Sequence, residues 1–178
     1  MTTDSSAAGI RLLHLSAAQN ERLRRACAGD AEAAASFDTE LVREPVRLLV
    51  EVISTKSVPA GSGVSYGHTY VTTTETVLAR VAIGYGHGLP RKAGNRASVT
   101  WRATGQMPVR LPIVGRVAMD EFVVDVGSTP VAAGDRVVVF GDAANGEIPL
   151  EQWAASIGEP PVAVAACFDA RTRRVISA

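Results

Sequence analysis

Three tyrosines and three histidines are the scarce acid/base side chains of this 178-residue sequence, and most of them fall in two short stretches. The first, VPAGSGVSYGHTY at residues 58–70, places Val64, Tyr66, His68 and Tyr70 at every second position. Pro59, Gly61 and Gly63 break regular structure ahead of them. In a strand, that spacing puts all four side chains on one face. Aromatic and β-branched residues favour strands. The second stretch, GYGHG, holds Tyr85 and His87 two residues apart, so they share a face if the strand persists. Its glycines admit a backbone or ligand at close range. A phenol ionises near 10 in water and needs a nearby cation to act as a base. An imidazole titrates near neutrality. Two readings stand together: a half-exposed aromatic strand with His87 capping a turn, or a proton-transfer site centred on Tyr66 that includes His87.

A third stretch, VGRVAMDE, contributes Arg116, Met119 and Asp120. Asp120 is wedged between apolar runs, as a turn residue or as the partner of an arginine. His68, His87 and Asp120 lack ligand-pair spacing such as HxH or HExxH, so no metal is expected. No GxGxxG follows a strand, and neither a P-loop nor GxSxG occurs.

The elements that must position these residues read as mainly β. Sixteen glycines, nine prolines and few aromatics suit short strands joined by turns. Strands are expected at VRLLVEVIST, TETVLARV, on both sides of a hairpin turn near Thr104 and Gly105, in two segments meeting at Met119 and Asp120, at DRVVVFG, and at VIS. LEQWAASIG reads as an amphipathic helix stopped by Gly158. VAVAACF reads as strand or helix. Residues 1 to about 9 read as a tail of small polar residues. Ser16 with Gln19 forms a capping-box signal for a helix ending near Gly29, and Asp30 caps a second, Ala-rich helix. The predicted division is an N-terminal extension at 1–44, partly helical or disordered, and a β domain at 45–178. A hinge near Phe37–Pro45 joins them. The dense strand spacing favours a barrel or sandwich.

Formal net charge is zero, which argues against a general nucleic-acid binder. Cys27 and Cys167 stand alone without CxxC, so a reducing, cytoplasmic setting is expected. The N-terminus lacks the features of a signal peptide, and no apolar run has the length to span a membrane.

The blocks VPAGSGVSYGHTY, IGYGHGLPR, PIVGRVAMDEFVVDV and GDRVVVFG, in that order, resemble the C-terminal domain of alanine racemase over about residues 46–176. The resemblance implies a mainly β, barrel-like domain that works beside an α/β barrel holding pyridoxal phosphate and its Schiff-base lysine. It implies that Tyr66 is the catalytic tyrosine, donated across a head-to-tail dimer. Tyr85 then lines the substrate entrance, and Met119 and Asp120 reach the partner's active site. A racemase removes a proton from one face of Cα and returns one to the other, so it needs two acid/base groups and an electron sink.

The departures are equally specific. The barrel is absent from this sequence, and its two lysines, Lys56 and Lys92, match no cofactor lysine. His87 replaces the acidic residue usual in GYADG-like segments. Ala170 and Arg171 stand near the place of a C-terminal tyrosine. The chain alone is therefore expected to bind no cofactor, with pyridoxal phosphate entering only through a partner barrel. The expected partner is that barrel protein or a second copy of the chain, and the expected substrate is small and amino-acid-like. Three functions follow. One is half of a split racemase or epimerase, an isomerase with Tyr66 and His87 catalytic and His68, Tyr85, Arg116, Met119 and Asp120 on the substrate. The second is a stand-alone, cofactor-independent epimerase or cyclase. The third is a non-catalytic binding module.

Overall fold

Leu48, Val50 and Val52 are fully buried and alternate with Arg47, Leu49 and Glu51, the period-two signature of a strand with one face on a core. A computed structural model describes residues 9–41, 43–168 and 171–177 of the chain. The predicted tail therefore lies, up to residue 8, outside the described residues, as does Ala170. The elements run β1 (Arg11–Ser16), α1 (Ala17–Cys27), α2 (Ala31–Glu40), β2 (Arg47–Val58), β3 (Gly63–Val64), β4 (Tyr70–Val71), β5 (Thr76–Val81), β6 (Ser98–Trp101), β7 (Val109–Val114), β8 (Phe122–Gly127), β9 (Arg136–Phe140), α3 (Leu150–Ile157), α4 (Pro161–Ala166) and β10 (Arg173–Ser177).

Strands β2, β5, β8, β7, β6 and β9 pair in that order, and β9 pairs back onto β2, closing a six-stranded barrel. Closure removes the open edges that a flat sheet would present. Inward-facing Val50, Val81, Val99, Ile113, Val124 and Val139 fill the interior. Phe140 carries this core out to the helices. Its ring lies edge-on to Trp153 of α3 at 5.7 Å and tilted against Phe168 at 6.0 Å. The Trp153 indole N–H donates to the Ser98 carbonyl, so a large buried side chain leaves no polar atom unpaired.

The N-terminal helices begin where their caps predict. Ser16 Oγ accepts from the Gln19 amide, and the Gln19 side chain accepts from the Ser16 amide. Asp30 accepts from Ala33. The buried Ser16 cap stabilises α1 by about 1 kcal/mol. Two features were not anticipated. Arg11–Ser16 forms a strand, β1, that pairs with β2 on one side and β10 on the other. The expected hinge near Phe37–Pro45 is also corrected. Phe37 belongs to α2 and is buried with Leu13, Leu23 and Leu41 in the same continuous core as the barrel. The physical reason is local: RLLHLS is too short, and its His14 too polar, to stand out as a strand until β2 and β10 lie beside it.

Candidate functional site

The tip of the β2–β5 hairpin carries Tyr66. There the predicted four-residue strand face is corrected. Ser65, Gly67 and His68 all have positive φ, at 60°, 73° and 45°. These left-handed values break the pleat, so Tyr66–His68 forms a 3-10 turn between the two-residue strands β3 and β4. Tyr66, His68 and Tyr70 therefore do not line one strand face. Non-glycine residues seldom adopt such φ values without support.

That support is visible. The Tyr70 hydroxyl donates to Asp125 Oδ2 of β8 at 2.9 Å, and Thr76 donates to Asp125 Oδ1. Burial first, and then the Asp125 carboxylate, push the Tyr70 phenol above its ordinary value. Tyr70 is thus an anchor of the tip, suited to donating a hydrogen bond. Asn95, itself at φ 59°, donates to Thr69 and accepts from the Gly115 amide at 2.6 Å. It ties the Tyr66 turn to the segment that follows β7. The Arg116 guanidinium lies over Gly67: a Cβ there would sit 3.5 Å from Nη1. Tyr66 itself is 74 % exposed.

The second half of the site is the 84–88 turn. Tyr85 and His87 belong to a 3-10 turn, which corrects the expected shared strand face. Tyr85 is half-exposed beneath Arg91, whose guanidinium lies 5.1 Å from the ring centroid. His87 is buried, and its Nδ1 accepts from the Gly84 amide at 3.2 Å. Its Nε2 lies 3.8 Å from Asp120 Oδ1. Amides of Tyr85 and Gly86 donate to the carbonyls of Ala118 and Met119. Only glycine fits at 84, since a Cβ would lie 2.2 Å from the Ala118 carbonyl oxygen.

The 115–120 segment therefore braces both turns. Arg116 serves the Tyr66 turn, while Met119 and Asp120 serve the Tyr85–His87 turn. Met119 and the Asp120 carboxylate remain exposed. The sequence reading singled out these residues but not Asn95 or Asp125, the braces that hold them. A Gly-Asn pair in the AGNR loop was the available signal for Asn95, because Asn tolerates left-handed backbone. Among the described residues no cluster of three or more potential metal ligands occurs.

The two lysines do not fit a Schiff-base cofactor. Lys56 is exposed on β2, and Lys92 is ion-paired to Glu159 at the surface. An imine-forming lysine needs a low-dielectric enclosure to lose its proton near neutrality.

A six-stranded barrel with its tyrosines and an Arg-x-x-Met-Asp segment gathered at one end has the architecture of a racemase β domain. The family model described as alanine racemase, C-terminal domain, matches residues 46–176. The chain belongs to this family. Curated alanine racemases from Frankia casuarinae and Salinispora arenicola are 47 % and 45 % identical over 117 residues. Those matches cover 66 % of this chain but only 29 % and 30 % of the relatives. The chain thus spans about three-tenths of their length. Among solved structures, alanine racemase from Streptomyces lavendulae superposes with TM-score 0.67 at 41 % identity, over 75 % of this chain and 34 % of that one. The Bartonella henselae enzyme, solved with covalently bound pyridoxal phosphate, gives 0.65 at 28 % identity, over 74 % and 35 %. No helix among the described residues is long and apolar enough to cross a membrane.

Proposed function

We propose that this chain is the tyrosine-donating part of a two-component amino-acid racemase or epimerase, with a cofactor-bearing barrel supplied by a separate polypeptide. The observation that carries the reading is Tyr66: an exposed phenol on a turn where two non-glycine residues, Ser65 and His68, hold positive φ, braced by Asn95, Tyr70 and Asp125. Such strain is maintained where placement of a side chain matters. Tyr66 moves the proton on one face of the substrate Cα. Arg116 supplies positive charge beside the same turn. His68, Tyr85, Met119 and Asp120 face the amino-acid substrate at the partner's site, and His87 holds the Tyr85 turn against Asp120. Pyridoxal phosphate, which this chain's lysines do not fit, would be the partner's and would serve as electron sink. The two cysteines are free, in keeping with a cytoplasmic setting.

The test mixes the full chain with a cofactor-loaded racemase barrel lacking its own β domain and follows interconversion of L- and D-alanine. Turnover is expected only in the mixture. Tyr66→Phe should lower it by about 10²–10⁴-fold, the usual range for a lost acid/base group, with the far-ultraviolet circular dichroism unchanged. Full turnover by Tyr66→Phe would remove the catalytic reading and leave a binding module.

A further inference from the structure

The outer face of the barrel, where the start of β2 lies beside β9 and β6, has a cleft of about 500 Å³. Arg47 of β2, Arg136 of β9 and Arg102, just past β6, line it together with one carboxylate, Glu147. Glu147 is buried and already committed. Both its oxygens accept from Arg47 Nε, at 3.0 and 2.9 Å, and Oε2 also takes the Asp142 amide at 2.9 Å. Arg47 is thereby fixed as a neutralised wall. Arg102 reaches the Asn145 carbonyl through one nitrogen, leaving the rest of its fork. Glu51, opposite Arg136 across β2 and β9, has one oxygen occupied by the Ile10 amide. The lining is thus more positive than negative, although the chain as a whole is neutral.

A second observation points to a ligand. Thr100 of β6 lines the same cleft and is 98 % buried, yet its hydroxyl has no hydrogen-bond partner. Its strand neighbours Val99 and Trp101 point into the core, so Thr100 points to the cleft side. Buried hydroxyls are almost always paired, and an orphan beside a cationic cleft calls for an acceptor from outside. Arg110 stands directly across from Thr100 on β7 and adds positive charge at the margin.

We propose that this cleft binds a small phosphate monoester. Arg102 and Arg136 grip the phosphate, the Thr100 hydroxyl donates from the floor, and the organic part lies along Leu49, Val138 and Ala103. Planar guanidinium forks match phosphate oxygens two at a time. The volume exceeds what a bare phosphate needs and falls within the range of small-molecule sites. A recessed hydroxyl suits a small ligand better than a flat macromolecular surface. The site is independent of Tyr66 and of the racemase reading.

The experiment is isothermal titration calorimetry of the full chain at constant ionic strength with ribose 5-phosphate, inorganic phosphate and heparin. Saturable one-to-one binding of ribose 5-phosphate is expected, at least ~10-fold tighter than inorganic phosphate. Arg136→Ala and Arg102→Ala should each weaken it by about 10-fold or more, whereas the exposed Lys56→Ala should not. Thr100→Val is isosteric. It should weaken binding while leaving the ligand-free melting temperature equal or higher, which a purely structural hydroxyl would not do. No saturable heat with ribose 5-phosphate overturns the proposal. So does unchanged affinity in Arg136→Ala. Equal binding of inorganic phosphate overturns the monoester assignment, and heparin binding alone would point to a macromolecular polyanion instead.

Discussion

His14 shows how much a single side chain's surroundings decide. It sits in β1 between Arg47 of β2 and Val175 of β10, and its Nε2 is buried without a hydrogen-bond partner. Burial first, and the Arg47 charge second, lower its pKa below the ordinary 6.5. The unfolded chain therefore takes up this proton more readily than the folded one. Stability is full above pH 6.5 and is lost as pH falls through 6.5 toward the lower folded value. Urea midpoints measured between pH 8 and 5 should fall on the acid side, and His14→Gln should flatten that fall. A midpoint that is equally steep in His14→Gln would remove His14 as the cause. The same logic of surroundings separates the tyrosines. Tyr70 is an anchor because Asp125 meets its hydroxyl, while Tyr66, three residues past Gly63, is presented outward.

Helices α1 and α2 combine local starts with long-range packing. Their starts follow from Ser16, Gln19 and Asp30, whose caps form as written in the sequence. Their packing does not. Phe37 looked like the edge of a linker, yet it is buried within the barrel's own core. Phe37→Ala should therefore cost about 3–5 kcal/mol, as for other buried aromatic truncations, and should lower the melting temperature of the whole chain in one transition. A loss within 1 kcal/mol, or separate melting of the barrel, would mean that residues 11–41 are an independent appendage. The barrel strands, the β6–β7 hairpin and α3 were legible because alternation, Gly105 and Gly158 are local signals. VAVAACF was ambiguous and became α4, for which Pro161 supplies a favoured first helical residue. The sequence marked the three stretches that meet here: Arg116, Met119 and Asp120 lie on one segment against the turns that carry Tyr66 and Tyr85. The geometry of the site was not legible. Period-two spacing suggested strands, and left-handed values at Ser65 and His68 depend on braces from Asn95 and Asp125, distant in sequence. β1 was illegible for the same reason: one of its two neighbouring strands is β10, some 160 residues away.

Across the whole molecule, Tyr66, Val71, Tyr85 and Met119 are all large, apolar in part and exposed, and they stand on the two turns, on β4 beside the first turn, and on the segment that braces both. Their relative exposures run from 44 % to 74 %. Exposed apolar groups gathered together mark interaction surfaces. The six-stranded barrel has no open edge of its own, while β10 forms an edge at the margin of the extended sheet. The turn end is therefore the surface expected to meet a second copy or a cofactor-bearing barrel. Sedimentation at micromolar concentration should show either a self-dimer of the 18.6 kDa chain or a stable complex with that barrel. Met119→Lys places a charge in the contact without touching the core, so it should weaken association by about 10-fold or more while the circular dichroism stays unchanged. A chain that stays monomeric alone and with the barrel, or a Met119→Lys variant that associates as tightly as the parent, would refute the turn end as the interface. The Tyr66 reading would fall with it, because an exposed phenol with no partner has no second acid/base group across the substrate.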